Sequence, residues 1–422
     1  MIDAKITIGV SVLLEINKAL CKVRTITTFI SLSEEKDAWK DEILKASKLC
    51  FDLSGKFKGE GYSVQSIRIV TNPFGEYLNT ASLATARSDL IVLSEMLNSL
   101  DESDIRIRFA IGEAKTEAEV ALLPQLIKEF GDLCNVCVNV GLDDNGILDN
   151  TLLLNSAKVV RELSQITPRG EGNFNFTVNF NCDPLIPYFP ASYHKKELGR
   201  CFVVGLETPD LLVNVLKEFN KSSQNLNHNE RYHGYYEVMS SALQYFISDL
   251  QTIIDQSTLD SDFVFSGFDS SAAPSKNCTS ITEIYEQMGL AFFGAAGTVE
   301  ASSLLTKVFK SIKGVDLVGF SGLMLALTED AGLAQGAIES NFEIRSLLTY
   351  SAVCGIGLDT VPIPGDTSLG KMAALMRDTG TMAYRLNKPL TVRLFPVPSL
   401  KAGDMTVFES DDLCNCAVLA VP

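Results

Sequence analysis

The sequence of 422 residues has only three histidines and no uninterrupted apolar run of the ~20 residues that a membrane-spanning helix needs. Glycine, serine or charged residues interrupt every apolar stretch. The N-terminal run at residues 6–14 is closed by Glu15 and is followed by no small-residue cleavage site, which argues against a signal peptide. These absences predict a cytoplasmic protein without membrane contacts.

The sequence also has no dense basic cluster. Its formal charge of −16 and its isoelectric point near 4.7 describe a surface that repels phosphate backbones and anionic lipids. The densest basic stretch, residues 48–58, is interrupted by Asp52 and by apolar residues, which is typical of a solvated face. We therefore predict no nucleic-acid partner.

The ten cysteines are spread along the chain, and without a secretion signal they are expected to be reduced thiols. Cys134 and Cys137 form a CxxC pair, but residues three apart in a strand project to opposite faces and cannot readily share a metal or a disulfide. Cys414 and Cys416 share a face, but two ligands fall short of the four of a structural zinc site. Both pairs are interpreted as packing.

Nucleotide signatures are absent as well. The segment 294–298 (GAAGT) precedes a predicted helix but lacks the lysine of a P-loop, and Gly355 with Gly357 does not complete GxGxxG. The sequence therefore predicts neither a P-loop nucleotide nor a nicotinamide cofactor.

Strand-like and helix-like segments alternate along the chain, which predicts an α/β architecture and, over residues 1–422, a single domain. Residues 221–234 (KSSQNLNHNERYHG) are the most polar and least periodic stretch, and we predict an exposed loop there. The expected strands lie at residues 106–112, 134–141, 174–182, 201–206, 263–268, 315–320, 390–395 and 416–421. The expected helices lie at residues 116–130, 150–166, 209–219, 235–254, 280–290, 298–312 and 367–386.

The predicted strand 174–182 (FNFTVNFNC) alternates strictly between apolar and polar residues. Its polar face suits either solvent or a wet cavity at the centre of a sheet or barrel. Both alternatives stay open, and two residues of this face, Asn179 and Asn181, are candidates for ligand binding.

Three acidic residues lie at strand ends or helix starts, where α/β folds usually place ligands. Glu207 follows the predicted strand 201–206, Asp269 ends the segment FVFSGFD, and Glu329 lies after GFSGLMLAL at the start of a predicted helix. We predict that all three contact a ligand. The alternatives are dipole stabilisation for Glu329 and a turn side chain for Asp269.

His194 ends a loop that contains three prolines (CDPLIPYFPASYH) and follows the polar-faced strand. A loop held by prolines is pre-organised, as catalysis and binding both require. We therefore take His194 as a candidate catalytic residue, whereas His228 and His233 lie in the predicted polar loop and are interpreted as solvated.

The strongest candidate is the segment 350–366 (YSAVCGIGLDTVPIPGD). Small residues around Cys354 allow close approach to its sulfur, and two X-Pro pairs force an extended path. The segment carries a thiol and two carboxylates, Asp359 and Asp366, which could serve as nucleophile and acid/base groups or could hold a divalent metal ion. The alternatives are a buried small apolar residue for Cys354 and a helix cap for Asp366.

Taken in order, these segments, together with RIVTNPFGEY and KPLTVRLFPVPSLKAGDMT, resemble the uncharacterised family called domain of unknown function 711. The resemblance implies a fold like pyruvate formate-lyase, a ten-stranded α/β barrel of two five-stranded halves wrapped by helices. It also implies an ACT-domain protein as a partner. The sequence has no glycine motif of the RVxGY type near its C-terminus, where Gly403 lies in KAGDMT, so we do not expect radical chemistry.

Two hypotheses follow. The first is a non-radical enzyme that acts on a small polar metabolite in a central barrel pocket through Cys354, Asp359 and His194. The second is a metabolite-binding or regulatory protein without turnover. The sequence leaves open whether the chain forms a homo-oligomer.

Overall fold

The structure is a computed structural model that describes residues 17–100, 107–258 and 261–422. The run at residues 6–14 and the first residue of the predicted strand 106–112 lie outside these ranges. The described residues form nine β-strands and eleven α-helices. The strands are β1 Lys22–Ile30, β2 Ile67–Thr71, β3 Ile107–Glu113, β4 Asn135–Val140, β5 Phe176–Phe180, β6 Cys201–Glu207, β7 Val264–Asp269, β8 Gly357–Pro364 and β9 Leu390–Val397. The helices are α1 Trp39–Gly59, α2 Leu83–Asn98, α3 Glu117–Phe130, α4 Asn150–Ile166, α5 Pro209–Ser222, α6 His228–Ser257, α7 Ile281–Gln287, α8 Thr298–Phe309, α9 Ala331–Ile338, α10 Ile344–Ser351 and α11 Leu369–Arg385.

These nine strands belong to one sheet, in the spatial order β7, β6, β1, β2, β3, β4, β5, β9, β8. Strands β1 to β5 pair in parallel, as do β6 with β7 and β8 with β9. The pairs β1–β6 and β5–β9 are antiparallel. The sheet is therefore a block of five parallel strands, flanked by two parallel pairs that run the opposite way. The predicted α/β class is confirmed.

The segment that contains residues 316–326 lies against both edge strands. Leu317 forms an isolated parallel bridge with Phe268 of β7, and Ala326 forms another with Asp359 of β8. Irregular backbone between these two bridges therefore connects the edges of the sheet.

Two predicted strands are wrong, those at residues 315–320 and 416–421, where the structure has only isolated bridges. In the first, Gly319 has a positive φ angle of 62°, and Ser321 just after it one of 37°, which interrupt an extended path. The described residues thus form nine strands rather than the ten that the resemblance implies. The strands β1, β2 and β8 were not predicted, and β8 lies within the segment 350–366 that the sequence suggested as a stiff loop.

The predicted exposed loop at residues 221–234 is also wrong in most of its length. Helix α5 continues to Ser222 and α6 begins at His228, so only five residues separate the two helices. The reason is a capping box, in which the Asn227 side chain accepts from the Glu230 backbone N–H and the Glu230 carboxylate accepts from the Asn227 N–H. The polar residues of this stretch start a helix instead of forming a loop.

The helices pack apolar stripes onto the sheet. In α6, Tyr235, Val238, Ala242 and Phe246 recur at helical spacing and are 2% exposed or less. Every residue of β6 and β9 is buried, as expected for strands covered on both faces. Among the described residues, none of the helices has the length and apolar content that a bilayer crossing requires.

Candidate functional site

A small cavity of about 50 Å³ is lined by side chains from several strands of the sheet. These strands are distant in the sheet order, because β1 and β2 contribute to the wall together with β8 and β9. The side chains supplied by strands are Arg24, Arg68, Thr177, Asp359, Thr391 and Arg393. Strands from separate parts of the sheet therefore line one cavity with charged groups.

The polar face of strand 174–182 was predicted to contact either solvent or a cavity, and Thr177 of this face lies in the cavity wall. Asn175, Thr177 and Asn179 are all 7% exposed or less. The polar face is turned into the protein interior rather than to solvent.

Arg393 of β9 is the centre of a buried ionic cluster. Its Nε donates to Oδ1 of Asp359 at 2.6 Å and its Nη2 to Oδ2 at 3.0 Å. Nη2 also donates to Oε1 of Glu329, and the guanidinium lies 4.9 Å from the centroid of the Phe174 ring. One cation thus holds two carboxylates at the cavity wall.

The backbone places both carboxylates. The register of β8 against β9 shifts between Leu358 and Val361, and Thr360 within this irregularity has a φ of 49°. The Thr360 hydroxyl accepts from the backbone N–H of Thr328 at 3.1 Å, which ties the turn that carries Glu329 to β8. The bulge therefore sets Asp359 opposite Arg393 and brings Glu329 to the same guanidinium.

Burial and charge shift the pKa values in this cluster. Burial raises the pKa of Glu329, and the Asp359 charge raises it further, against the lowering effect of Arg393. For Arg393, burial lowers the pKa, but Asp359 and Glu329 outweigh it and the net shift is upward. The Arg393 guanidinium therefore remains charged. The raised pKa of Glu329 means that this carboxylate takes up a proton more readily than a free one.

Arg68 of β2 is a second buried guanidinium, only 6% exposed, at the same cavity. Burial, followed by the charges of Arg24 and Arg108, lowers its pKa to about 9. Arg68 lies directly opposite Arg108 in the parallel pairing of β2 and β3. Three arginines therefore lie close together on the first three strands.

An outer cleft of about 380 Å³ adjoins the cavity. It shares Arg24, Arg68 and Glu329 with the cavity wall and adds Arg108 and Asp412, which form an ion pair with 3.0 Å between Nη2 and Oδ2. The shared residues place the cleft directly beside the inner cavity.

Among the residues predicted from the sequence, the structure brings Asp359 and Glu329 together at Arg393. Cys354 is fully buried in the apolar core and is not part of the cavity wall, and Asp366 is exposed. Cys354 and Asp359 therefore do not line the same cavity. A role for Cys354 or Asp366 stays a prediction.

His194 is fully buried next to Phe29, with 6.0 Å between ring centroids. Burial lowers the pKa of His194 to about 4, so the ring is neutral at pH 7. It does not line the cavity. Its predicted catalytic role also stays a prediction.

Asp269 anchors the segment between the sheet edges. Its carboxylate accepts from the backbone N–H groups of Ser271, Phe320 and Ser321 and from the Ser271 hydroxyl. Burial raises the pKa of Asp269 to about 6, against the lowering effect of these bonds. Both carboxylate oxygens already accept hydrogen bonds from the protein, so Asp269 holds the backbone at Phe320 and Ser321 in place.

The other three candidates lie near the cavity or away from it. Glu207 accepts from Gln65 at 2.7 Å, and Gln65 in turn accepts from Arg24 at 2.7 Å, so Glu207 is linked to the wall through one amide. Asn179 donates to the carbonyl of Ala191, a wall residue, at 3.0 Å. Asn181 instead donates to Asn387 at 3.2 Å, outside the wall.

Sequence reasoning missed the arginines. The available signal was a single charge inside an otherwise apolar strand, as with Arg68 in IRIVT and Arg393 in LTVRLFPV. A charge that is buried in a strand requires a partner or a ligand.

The predicted divalent metal site finds no support in the donor set. In the described part of the chain, no group of three or more His, Cys, Asp or Glu residues is arranged to hold a metal ion. The carboxylates that the sequence offered for this ion were Asp359 and Asp366, but Asp366 is exposed, whereas Asp359 is buried and both of its oxygens accept from Arg393.

The fold and the site define a mixed α/β protein in which strands of one sheet line a charged cavity. Residues 15–409 match the family described as Uncharacterised ACR (DUF711), and the chain belongs to this family.

Relatives and one solved structure extend the comparison. A UPF0210 protein from Clostridium botulinum (strain Alaska E43) is 24% identical over 416 residues, which cover 92% of this chain and 88% of that protein. A UPF0210 protein from Pyrobaculum aerophilum is 31% identical over 255 residues, or 59% of this chain and 54% of that protein. The anaerobic ribonucleotide reductase from Thermotoga maritima aligns with a TM-score of 0.43 and 9% identity, covering 88% of this chain and 80% of that chain.

Proposed function

We propose that the cavity binds a small polar metabolite and is the site of a non-radical reaction on it. The observation that carries the proposal is the pair of carboxylates, Asp359 and Glu329, held by one buried guanidinium at the wall. A carboxylate whose pKa is raised by burial is suited to transfer a proton near neutral pH, and Glu329 is such a group. The proposal keeps the cytoplasmic location that the sequence predicts.

The proposal includes the finer description of the fold, a ten-stranded barrel like that of pyruvate formate-lyase. Its support is that residues 316–326 bridge both edge strands, β7 and β8, where a tenth strand would close the sheet. The five parallel strands β1 to β5 form one half, and the two flanking pairs with this segment form the other.

The alternative is a metabolite-binding or regulatory protein without turnover. One observation favours it, because both oxygens of Asp359 accept hydrogen bonds from Arg393. A carboxylate bound in this way positions a cation rather than removing a proton.

A thermal-shift screen of small polar metabolites tests the proposal. The wild type is compared with Glu329→Gln, which keeps the side-chain shape, and with Glu129→Gln, a surface control. A ligand of the folded state raises the melting temperature by mass action. We expect a metabolite that stabilises the wild type and the control, and stabilises Glu329→Gln less.

Mass spectrometry of the bound metabolite then separates the two candidates. Conversion by the wild type but not by Glu329→Gln supports an enzyme, whereas recovery of unchanged ligand supports binding without turnover. A screen in which no metabolite stabilises the wild type, or in which Glu329→Gln responds as strongly, would contradict the cavity as the site.

A further inference from the structure

The two buried arginines of the cavity differ in their partners. Arg393 has two carboxylates, but among the residues that the structure describes no carboxylate oxygen lies within 4 Å of Arg68. A buried cation that is not paired with a carboxylate is costly to the folded state. The burial of Arg68, unlike that of Arg393, is therefore not explained by a carboxylate partner.

The contacts of Arg68 offset only part of this cost. Its Nη1 donates to the carbonyl of Pro187 at 3.2 Å, its Nε to the hydroxyl of Ser66 at 3.4 Å, and its guanidinium lies 4.9 Å from the Phe189 ring centroid. All three partners are neutral. Within the described ranges, its Nη2 donates no hydrogen bond.

The neighbouring groups add positive charge. Arg24, on the adjacent strand, pairs with the neutral amide of Gln65 rather than with a carboxylate. The inner cavity thus has three guanidinium groups against two carboxylates, and Arg393 holds both carboxylates. This local balance is opposite to the formal charge of −16 on the whole chain.

We infer that the metabolite bound in this cavity carries an anionic group, a carboxylate or a phosphate, and that Arg68 is its principal contact. This inference rests on the proposed function. The anionic group lies in the inner cavity of about 50 Å³, where a few atoms fit, with Arg24 beside it. The remainder of the ligand extends into the outer cleft of about 380 Å³, toward Arg108.

The chemistry supports this assignment. A guanidinium presents paired N–H donors that match the two oxygens of a carboxylate or of a phosphate edge. The free Nη2 supplies one such donor, and the low exposure of Arg68 strengthens the interaction because water competes weakly. Arg68 and Arg24 would attract the ligand in its ionised form.

Isothermal titration calorimetry at constant ionic strength tests the inference with acetate, inorganic phosphate and acetamide, a neutral molecule of the shape of acetate. The proteins are the wild type, Arg68→Met, Arg68→Lys and the surface control Arg87→Met. We expect acetate or phosphate, but not acetamide, to bind the wild type and Arg87→Met. Arg68→Met should weaken this binding about tenfold or more, and Arg68→Lys should retain part of it.

The two anions distinguish the source of the group. Binding of acetate assigns a carboxylate, and binding of phosphate alone assigns a phosphate. Equal binding of the anions by the wild type and Arg68→Met, or binding of acetamide as strong as that of acetate, overturns the inference. If Arg68→Met does not fold, Arg68→Lys and Arg24→Gln carry the comparison.

Failure of this inference differs from failure of the proposed function. If anions do not bind but a neutral metabolite from the thermal-shift screen does, the cavity remains a metabolite site and Arg68 is not its anion contact. If neither anions nor neutral metabolites bind, both proposals are overturned.

Discussion

Asp359 and Arg393 form a bidentate pair across the neighbouring strands β8 and β9, with N to O distances of 2.6 and 3.0 Å and side chains 3% and 5% exposed. The pair is fixed by a bulge in β8 rather than by regular pairing. Because both charges are out of water, each depends on the other for compensation. This dependence makes the pair the most direct test of the site geometry.

Replacing Asp359 with asparagine should destabilise the folded state by about 3 kcal/mol, since Arg393 would retain only Glu329 as a counter-charge. The measurement is the free energy of unfolding in urea. The control is Glu129→Gln, which breaks the exposed pair with Arg87 and should cost less than ~1 kcal/mol. Equal losses in the two variants would show that the buried pair has no special weight.

Replacing Gly355 with alanine should destabilise the protein by about 1–3 kcal/mol. A methyl group there would lie 2.9 Å from Cα of Gly322, and the Gly355 N–H already donates to the Leu323 carbonyl at 2.6 Å, so the two loops cannot separate freely. Thermal unfolding measures the effect. The control is Gly59, where an added methyl group meets nothing within 4 Å, so alanine should be neutral or stabilising there. A similar loss of stability at both sites would contradict the steric clash at Gly355.

His194 should make the protein sensitive to acid. Burial lowers its folded-state pKa from 6.5 to about 4, so the unfolded chain takes up the proton first as the pH falls through 6.5. Stability from this group is complete above pH 6.5 and is lost as the pH falls toward 4, by about 2 kcal/mol at pH 5.

The measurement compares urea unfolding of the wild type and His194→Leu at pH 8 and pH 5. The difference between the two proteins removes the opposite contribution of Asp269, whose folded-state pKa is raised to about 6. Between pH 8 and pH 5 the wild type should lose stability relative to the variant. A difference that does not change with pH would mean that His194 is protonated as easily in the folded state.

The cysteines should react slowly in the folded protein. All ten are free thiols, and eight are buried, with Cys182 and Cys278 partly exposed. Burial raises the pKa of both exposed thiols to about 12, which leaves little of the reactive thiolate at pH 8. Titration with Ellman's reagent should show no rapid reaction before denaturation and ten thiols afterwards. Rapid labelling of the native protein would contradict this burial.

The sequence was a partial guide to both helices and strands, because α1, α2 and α10 were not predicted. The helices α3, α4 and α11 lie close to their predicted ranges because apolar spacing directly reflects one buried face. The prediction of a strand at residues 315–320 was wrong, because the N–H groups of Phe320 and Ser321 donate to the Asp269 carboxylate instead of to a neighbouring strand. No local pattern reports such a contact between residues about 50 apart.

The α/β class, the family resemblance and the choice of Asp359 and Glu329 as candidate residues could be predicted from the sequence. These follow from periodicity and from motifs, which are local properties of the chain. The pairing of Arg393 with both acids, and the lack of a carboxylate partner for Arg68 among the described residues, became visible only in the folded arrangement. A charge in a strand acquires its partners from strands that lie far away in the sequence, so no local pattern reports them.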